Sequence, residues 1–311
     1  MRLVVTAGAG FLGTALSVAL AADGHDVVCA DRSDRLDRLG PVPPNLRTVA
    51  FDHTGDAVPE GLLRGCDVLV HLAHRGLPSS PMRDVAREAA ENIGGGLRLF
   101  ESARHHGVPA VVFASSGGTV YGSVDQLPVT ESAPTRPISA YGVGKLSIER
   151  YLDLYASDFG MRCVSLRVGN AVGEGQFRGA GVGAPAKFLA AVGAGLPVHI
   201  WGDGSTVRDY VYVDDVVRAF VAAATAHVPS GAYNVGSGQG HSLDDIVALV
   251  RDVTGVEPEV RYEPSRVFDV RSIVLDASRF SGLTGWRAQV PLGDALRLMW
   301  QRLAAKPLDG T

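Results

Sequence analysis

Apolar, β-branched runs alternate with longer amphipathic stretches through the first half of the chain. The short runs predict strands at residues 2–6, 26–30, 46–50, 68–72, 110–115 and 163–168. The longer stretches predict helices at residues 11–23, 81–106 and 139–159. Strands that are apolar throughout and separated by helices are typical of a parallel sheet buried on both faces. The pattern therefore predicts an α/β fold, a Rossmann-type doubly wound parallel sheet with its ligand crevice at the carboxyl ends of the strands.

The pattern changes after Val168, where glycine-rich loops replace the regular alternation. A helix at about residues 186–193 and short strands near 197–201 and 207–213 follow. Residues 214–226 and 232–235 are typical of one more helix and strand of the first unit, and the chain from residue 242 adds two helices and a strand. We therefore expect a nucleotide-binding domain of residues 1–168 plus about 209–236, and a smaller α/β substrate-binding lobe of about 169–208 plus 237–311.

The balance of charge indicates a small ligand. The 311 residues are 46% hydrophobic, enough for a large core, and 29 Lys and Arg stand against 33 Asp and Glu, for a net charge of -4. Such a balance indicates neither a nucleic-acid binder nor a polybasic membrane surface.

The cysteines Cys29, Cys66 and Cys163 are odd in number and widely spaced, which fits neither a disulfide framework nor a metal or redox motif. They predict buried thiols in a reducing compartment. The chain shows no signal-peptide pattern and no apolar run of the ~18 residues that a membrane helix needs. The expected location is the cytoplasm, and no metal site is expected.

Residues 6–13 read TAGAGFLG, in which Gly8, Gly10 and Gly13 form a G-x-G-x-x-G directly after a strand and at the start of a helix. Glycines permit the tight turn, and they let backbone N–H groups approach a pyrophosphate at the positive end of the helix. The motif alone is weak, because glycine turns also join strands to helices for structural reasons. The strand, the helix and a downstream acidic residue strengthen it.

Asp31 is that acidic residue, at the end of the second predicted strand. A carboxylate there accepts hydrogen bonds from an adenosine ribose and repels a 2′-phosphate. The sequence therefore favours NAD over NADP as the cofactor, although Arg32 beside it keeps NADP open. The structural alternative is a solvated aspartate in the turn DRSD.

Tyr141 and Lys145 form a Tyr-x-x-x-Lys at the start of a predicted helix, which puts both side chains on one face, one turn apart. An ammonium near a phenol favours the phenolate and lowers a pKa that is ordinarily ~10. Such a pair could take a proton from an alcohol while hydride leaves for NAD. The spacing alone also arises by chance on structural helices.

The segment after the fifth predicted strand reads SSGGTVYG, from Ser115 to Gly122. In order along the chain, TAGAGFLG, Asp31, HLAH, Asn92, SSGGTVYG and YGVGK resemble the extended short-chain dehydrogenase/reductase family, nearest to its UDP-galactose 4-epimerase and NAD-dependent epimerase/dehydratase group. The resemblance covers essentially the whole chain, and its motifs are far more specific in combination than singly.

The resemblance implies a catalytic pair and an NAD site. Tyr141 would be the catalytic base and acid, and Lys145 would hold the nicotinamide ribose and lower the Tyr141 pKa. The implied cofactor residues are Gly8, Gly10, Phe11, Leu12 and Gly13 at the pyrophosphate, Asp31 and Arg32 at the adenosine ribose, Asp52 at the adenine, Leu72, Ala73 and Ser115 along the cofactor, and Asn92 ordering the active-site backbone or a water.

The resemblance also implies a site for a nucleotide-diphosphate sugar. Its implied residues are Asn170 at the phosphates, His199 and Trp201 near the base, Arg208 and Arg266 on the diphosphate, and Asp269 on the nucleotide ribose. Forked arginine donors match phosphate oxygens. Structural alternatives stay open: Trp201 could be core, Arg208 could pair with Asp209, and Arg266 could be a solvated loop residue.

Three positions depart from the family pattern. Ala7 replaces the usual first glycine of the fingerprint, a change that is tolerated if its backbone angles are ordinary. The usual catalytic Ser or Thr falls on Gly117, so a hydroxyl from Ser116, or otherwise from Thr119, would have to take its place. Val172 replaces an aromatic residue near the sugar, which leaves the identity of the sugar open.

The implied activity is NAD-dependent 4-epimerisation of a UDP-hexose through a transient 4-keto intermediate. A dehydratase is disfavoured, because those relatives carry Asp and Glu where this chain has Gly118 and Thr119. An NAD(P)-dependent ketosugar reductase or dehydrogenase, and a non-catalytic dinucleotide-sensing protein, stay as alternatives. Apolar stripes on predicted helices 81–106 and 139–159 favour a homodimer, since relatives pair through these elements.

Overall fold

The structure is a computed structural model that describes residues 1–305 except 38, 56, 77–83, 179–182 and 265–269. Its strands are β1 (Arg2–Thr6), β2 (Asp26–Asp31), β3 (Leu46–Ala50), β4 (Val68–His71), β5 (Ala110–Ser116), β6 (Arg162–Val168), β7 (Asn170–Val172), β8 (Val198–Trp201), β9 (Val207–Tyr212), β10 (Gly231–Val235), β11 (Gly240–Ser242), β12 (Val260–Glu263) and β13 (Ser272–Ile273). Its α-helices are α1 (Phe11–Ala22), α2 (Ser33–Leu36), α3 (Val85–Ala89), α4 (Gly95–His105), α5 (Gly117–Val120), α6 (Ala140–Phe159), α7 (Ala184–Gly193), α8 (Val213–Thr225), α9 (Leu243–Thr254), α10 (Ser278–Thr284) and α11 (Leu292–Ala305).

Seven strands form one parallel sheet in the order β10-β6-β5-β4-β1-β2-β3. Strand β1 pairs with β2 on one side and with β4 on the other, so the strand order reverses there. The register aligns Thr6 with both Ala30 and His71, which brings the carboxyl ends of three strands to one edge. Such a switch point is where doubly wound sheets bind ligands. The predicted Rossmann-type fold is confirmed.

The core lies in two layers, one on each face of this sheet. Alternate strand residues point to opposite faces. Leu3 packs with Leu16 of α1 on one face, whereas Val4 packs with Leu99 of α4 and Ile148 of α6 on the other. All five side chains are almost fully buried. Burial on both faces is the physical reason for the uninterrupted apolar runs of the central strands.

A smaller group of elements follows β6. Strand β9 pairs with β7, β11 and β13 in a four-stranded sheet, β8 pairs with β12, and α7, α9 and α11 pack against one another. Helix α8 and strand β10 interrupt this group in sequence and belong to the large sheet, where β10 pairs with β6. Buried Asp215 of α8 accepts hydrogen bonds from the backbone N–H groups of Gln289 and Val290. It thereby ties the chain that leads into α11 to the large sheet.

The helix predicted at residues 81–106 is divided in the structure. Residues 81–83 lie outside the described part, and α3 and α4 are joined by a π-helical turn, Ala90–Gly94. The Asn92 side chain in this turn donates to the carbonyl of Glu88, 3.1 Å away. A side chain that competes for the helix carbonyls is a common origin of such a bulge.

Helix α6 has clear signals at both ends. Ser139 caps its start by accepting from the Gly142 N–H, and Gly160 ends it with a φ of 66°. None of the helices within the described residues is long and apolar enough to cross a membrane.

Candidate functional site

A cleft of about 890 Å³ opens at the carboxyl edge of β1, β2 and β4. The glycine loop, the segments after β2, β3 and β4, and the start of α8 line it. Its volume lies within the ~300–1,000 Å³ of typical small-molecule sites. The predicted crevice is thus a real cavity, large enough to hold a small cofactor.

The three glycines of the loop have different structural roles. A Cβ on Gly8 would lie 2.7 Å from the Cys29 sulfur, and one on Gly13 would lie 2.1 Å from the Ala7 carbonyl. These two positions must therefore be glycine for packing alone. Gly10 lines the cleft and is the N-cap of α1, where no side chain caps the helix. The helix N-terminus thus offers its free N–H groups to the cleft.

Of the two residues that begin α1, Phe11 lines the cleft and Leu12 packs against the core. Ala7 has a φ of 53°, in the left-handed region that favours glycine. The condition under which alanine would be tolerated here, ordinary backbone angles, is therefore not met. The turn demands this conformation because Gly10 N–H donates to the Ala7 carbonyl and Gly8 N–H donates to the carbonyl of Ala30.

Asp31 is buried at the end of β2 and lines the cleft. Its carboxylate accepts from the Ala9 N–H at 3.0 Å and from the Arg32 N–H at 2.8 Å. The solvated-turn alternative is excluded, because the carboxylate holds the glycine loop onto β2. The Arg32 guanidinium is ion-paired with Asp34, while Arg35, which the sequence analysis missed, reaches within 3.5 Å of a Cβ built on Gly10.

The other predicted cofactor residues lie around the same edge. Asp52 lines the cleft and accepts from the N–H and hydroxyl of Thr54, and Ala73 lines it after β4, whereas Leu72 packs against the core. Asn92 does not line the cleft. Its side chain accepts from the Arg75 N–H at 2.7 Å and donates to the Arg75 carbonyl at 3.0 Å, so it orders the backbone of the loop after β4.

Tyr141 and Lys145 lie on the first turns of α6, with the Lys145 Nζ 5.6 Å from the Tyr141 ring centre. The ammonium donates to the Ala114 carbonyl at 2.7 Å. Burial raises the pKa of Tyr141 to about 12. Burial also lowers the pKa of Lys145 to about 7, against the opposing effect of the Glu149 carboxylate. In the protein chain by itself the net shift of the Tyr141 pKa is therefore upward, and its lowering by Lys145 stays a prediction.

The two serines that end β5 point in different directions. Ser115 donates a hydrogen bond to Glu149, so its hydroxyl is directed to α6 and away from the cleft. Ser116 is half-buried, and a Cβ built on the neighbouring Gly118 would lie 3.9 Å from its hydroxyl and 3.3 Å from the Asn170 amide oxygen. Ser116 and Asn170 therefore lie close together on either side of Gly118.

Thr119 carries a buried hydroxyl that has no hydrogen-bond partner among the described residues. Its carbonyl would lie 2.8 Å from a Cβ on Gly142, which places α5 directly against the first turn of α6 and next to Tyr141. Thr119 thus lies next to Tyr141, whereas Ser116 lies next to Gly118 and Asn170, and both hydroxyls stay candidates.

A buried ion pair supports this end of the sheet, and the sequence analysis missed it. Arg167 of β6 donates to both oxygens of Glu149 on α6 and to the Tyr121 hydroxyl, and that hydroxyl donates to Asn234. The two charged side chains are 3% and 2% exposed. An Arg in a strand and a Glu eight residues after Tyr141 are the signals that could have indicated it.

The predicted nucleotide-sugar residues are only partly brought together. His199 and Trp201 are exposed on one face of β8, so the core interpretation of Trp201 is wrong, and His199 is 3.0 Å from a Glu263 oxygen. Arg208 donates to the Val207 carbonyl. Asp209 is buried and accepts from Ser237, Gly238 and Leu275, which argues against the proposed Arg208–Asp209 pair. Arg266 and Asp269 lie outside the described residues.

Comparison with models of known protein families identifies the family of this chain. The model of the NAD dependent epimerase/dehydratase family matches residues 3–236, three quarters of the chain. The chain belongs to the NAD-dependent epimerase/dehydratase family.

The chain is similar to several UDP-glucose 4-epimerases, two of them with solved structures. A UDP-glucose 4-epimerase of Mycolicibacterium smegmatis is 36% identical over 302 residues, covering 95% of this chain and 96% of that protein. The UDP-glucose 4-epimerase of Thermotoga maritima, solved with UDP-glucose, superposes with a TM-score of 0.89 at 32% identity, over 98% of this chain and 99% of that chain. The Thermus thermophilus UDP-glucose 4-epimerase, solved with NAD, gives 0.87 at 32% identity, over 98% and 99%.

The NAD dependence of the family agrees with the residues of the cleft. No group of three His, Cys, Asp or Glu side chains that could hold a metal ion occurs in the described part of this epimerase/dehydratase family member. Cys29, Cys66 and Cys163 are all free and buried, as predicted.

Proposed function

We propose that this protein is an NAD-dependent 4-epimerase of a UDP-hexose. The carrying observation is that the Tyr141 ring, one turn before Lys145 on α6, packs against His74, which lines the same cleft as Gly10 and Asp31. The similarity to UDP-glucose 4-epimerases over nearly the whole chain supports this proposal over a reductase or a sensing protein.

The residues present fit NAD. Gly10 opens the uncapped start of α1 toward the cleft for a pyrophosphate, and Asp31 and Asp52 bring carboxylates to its adenosine end. Phe11 and Ala73 supply apolar walls. When bound, NAD would supply a reversible hydride acceptor for the sugar.

Tyr141 then handles the proton. Its phenol takes the proton of the sugar C4 hydroxyl as hydride leaves C4, which produces a 4-keto sugar, and it returns the proton when hydride comes back to the other face. Lys145, held by the Ala114 carbonyl, would hold the nicotinamide ribose and present its amino group to the phenol. A hydroxyl of Ser116, or otherwise of Thr119, hydrogen-bonds the C4 oxygen as its charge changes.

The keto-sugar must rotate between the two hydride transfers to present its other face. The substrate therefore has to be held through its diphosphate. We assign this grip to Asn170, which adjoins Ser116, and to Arg208 and Arg266. His199 and Trp201, exposed on β8, are assigned to the base, and Asp269 to its ribose.

The test is conversion of a UDP-sugar without added cofactor. We expect purified protein to carry NAD and to convert UDP-glucose, UDP-N-acetylglucosamine or UDP-glucuronate to its 4-epimer by NMR. Tyr141→Phe should lose about 10²–10⁴-fold of the rate, as general acid–base catalysis predicts. Tyr262→Phe, which alters an exposed tyrosine, is the matched control and should keep it. Net NADH formation, or NADPH-dependent reduction of a ketosugar, would instead establish a dehydrogenase or reductase.

The same assay identifies which hydroxyl takes the role of the Ser or Thr that the family usually has at position 117. Ser116→Ala should reduce kcat more than Thr119→Val if the half-buried serine meets the sugar oxygen. The reverse order would assign that role to the buried Thr119 hydroxyl.

We further propose a homodimer located in the cytoplasm. Val143, Tyr151 and Leu154 are 48%, 41% and 52% exposed on α6, which leaves apolar surface for a second copy. The three free cysteines support a reducing compartment. Light scattering of the purified protein tests the dimer.

A further inference from the structure

His74 lies directly against the proposed catalytic phenol. Its ring centre is 4.4 Å from that of Tyr141, and the two planes are inclined by 66°, an edge-to-face contact at the short end of the range for aromatic pairs. The same imidazole lies over the next turn of α6, where a Cβ on Gly144 would be 3.7 Å from its Cε1. His74 therefore covers the helix face that carries Tyr141.

Both nitrogens of His74 are shielded from solvent and have no hydrogen-bond partner among the described residues. A neutral imidazole has one donor and one acceptor, and leaving them unpaired in a protein interior is unfavourable. Leucine or phenylalanine would fill this space without that penalty. An imidazole here is therefore explained by a partner that it acquires during the reaction cycle.

The surroundings keep this imidazole neutral. Burial lowers the pKa of His74 to about 2, and the positive charge of Lys145 and the nearby His53 and His71 act in the same direction. Each of these neighbours has a polar partner of its own: Lys145 donates to the Ala114 carbonyl, the Nδ1 of His71 pairs with the Thr6 hydroxyl at 2.8 Å, and His53 lies 3.5 Å from the Asn92 amide oxygen. His74 is thus an imidazole with an uncommitted donor in direct ring contact with Tyr141.

Tyr141 needs such a donor. Nothing within the described residues offsets the desolvation of its phenol, yet epimerisation requires the oxygen to lose and regain a proton. The terminal torsion of a histidine side chain is soft, so the imidazole can redirect a nitrogen with little movement of its centre. A hydrogen bond to the charged form of a group favours that form.

We propose that His74 is a positioning residue for Tyr141, whose imidazole N–H turns to the phenol oxygen and stabilises its deprotonated form. The inference rests on the proposed role of Tyr141 as acid and base. It adds a polar residue that packs on the catalytic tyrosine from the β4 side of the cleft.

The test measures the ionisation of Tyr141 in the NAD-loaded protein. Tyrosines are labelled with ¹³C at Cζ, the Tyr141 signal is assigned with Tyr141→Phe, and it is titrated with pH in wild type, His74→Phe and His74→Asn. We expect His74→Phe to raise the apparent Tyr141 pKa by about one unit, which is about tenfold less phenolate at a given pH. His74→Asn keeps a side-chain donor and should shift it less.

Activity provides a second readout. The acid limb of the kcat profile should move to higher pH in His74→Phe by the same amount, whereas a purely structural role would lower kcat equally at all pH values. Equal titrations in wild type and His74→Phe, or a Tyr141 signal that does not titrate in either, would overturn the proposal. A shifted titration without epimerase activity would leave this inference standing and reject the proposed substrate. If His74→Phe does not fold, His74→Ala provides the same comparison.

Discussion

Leu275 occupies the space in which a side chain at position 117 would begin. A Cβ built on Gly117 would lie 2.4 Å from the Leu275 Cδ1 and 3.0 Å from the Arg167 carbonyl. Leu275 is fully buried, which leaves its side chain little space to move, and the Arg167 carbonyl is fixed in the backbone of β6. The packing of the small lobe against the large sheet therefore leaves no room for a side chain, and hence for a hydroxyl, at position 117.

Restoring the family's serine should consequently harm the protein. We expect Gly117→Ser to reduce stability by ~1–3 kcal/mol, the usual effect of overpacking a core, and not to raise kcat. Gly117→Ala should cost nearly as much, because the clash begins at Cβ. Thermal unfolding of both variants, alone and combined with Leu275→Val, checks this. Additive effects in the double variants would show that the contact does not limit position 117.

Replacing Ala7 by glycine should stabilise the protein. Its φ of 53° costs an L-residue ~1–2 kcal/mol, part of which the greater chain entropy of glycine offsets. We expect a net gain of up to ~1 kcal/mol, measured as a higher Tm. Ala9→Gly in the same loop is the matched control and should lower the Tm, because Ala9 is not among the residues with positive φ. A Tm that falls in Ala7→Gly would contradict the strain.

The sheet and the glycine loop were predictable because their signals are local. Runs buried on both faces must be apolar at every position, and a loop that meets Cys29 and the Ala7 carbonyl tolerates only glycine at Gly8 and Gly13. The family resemblance likewise identified Tyr141 and Lys145 from their spacing within one helix.

Features that depend on distant contacts were not predictable. The clash at Gly117 comes from Leu275, far along the chain, and the left-handed Ala7 follows from hydrogen bonds that close the loop on β2. The pKa values at Tyr141 and Lys145 are governed by burial, which a spacing motif does not report.

Breaking the Glu149–Arg167 pair should be strongly destabilising. Glu149→Gln leaves a buried guanidinium without its counter-charge, which costs ~3–5 kcal/mol. It also removes the carboxylate that opposes the lowering of the Lys145 pKa. Arg150→Gln on the same helix disrupts only an exposed pair with Asp153 and should cost at most ~1 kcal/mol. A similar Tm loss in both variants would argue against a special role for the buried pair.

Three desolvated histidines near the cleft should make stability fall on acidification. Burial lowers the pKa of His53, His71 and His74, the last to about 2. Below pH ~6.5 the unfolded chain takes up protons at these positions while the folded protein does not, so their effect is absent above that pH and grows as pH falls.

Each such histidine contributes a slope of up to ~1.4 kcal/mol per pH unit below pH ~6.5. His74→Phe removes one titrating group. Its Tm should therefore fall less than that of wild type when the pH is lowered from about 7.5 to about 5, across the ordinary histidine pKa of ~6.5. Replacing the exposed His227 by asparagine should leave the wild-type dependence unchanged. Parallel curves for wild type and His74→Phe would mean that the imidazole takes up its proton in the folded state, and that its burial beside Tyr141 does not keep it neutral.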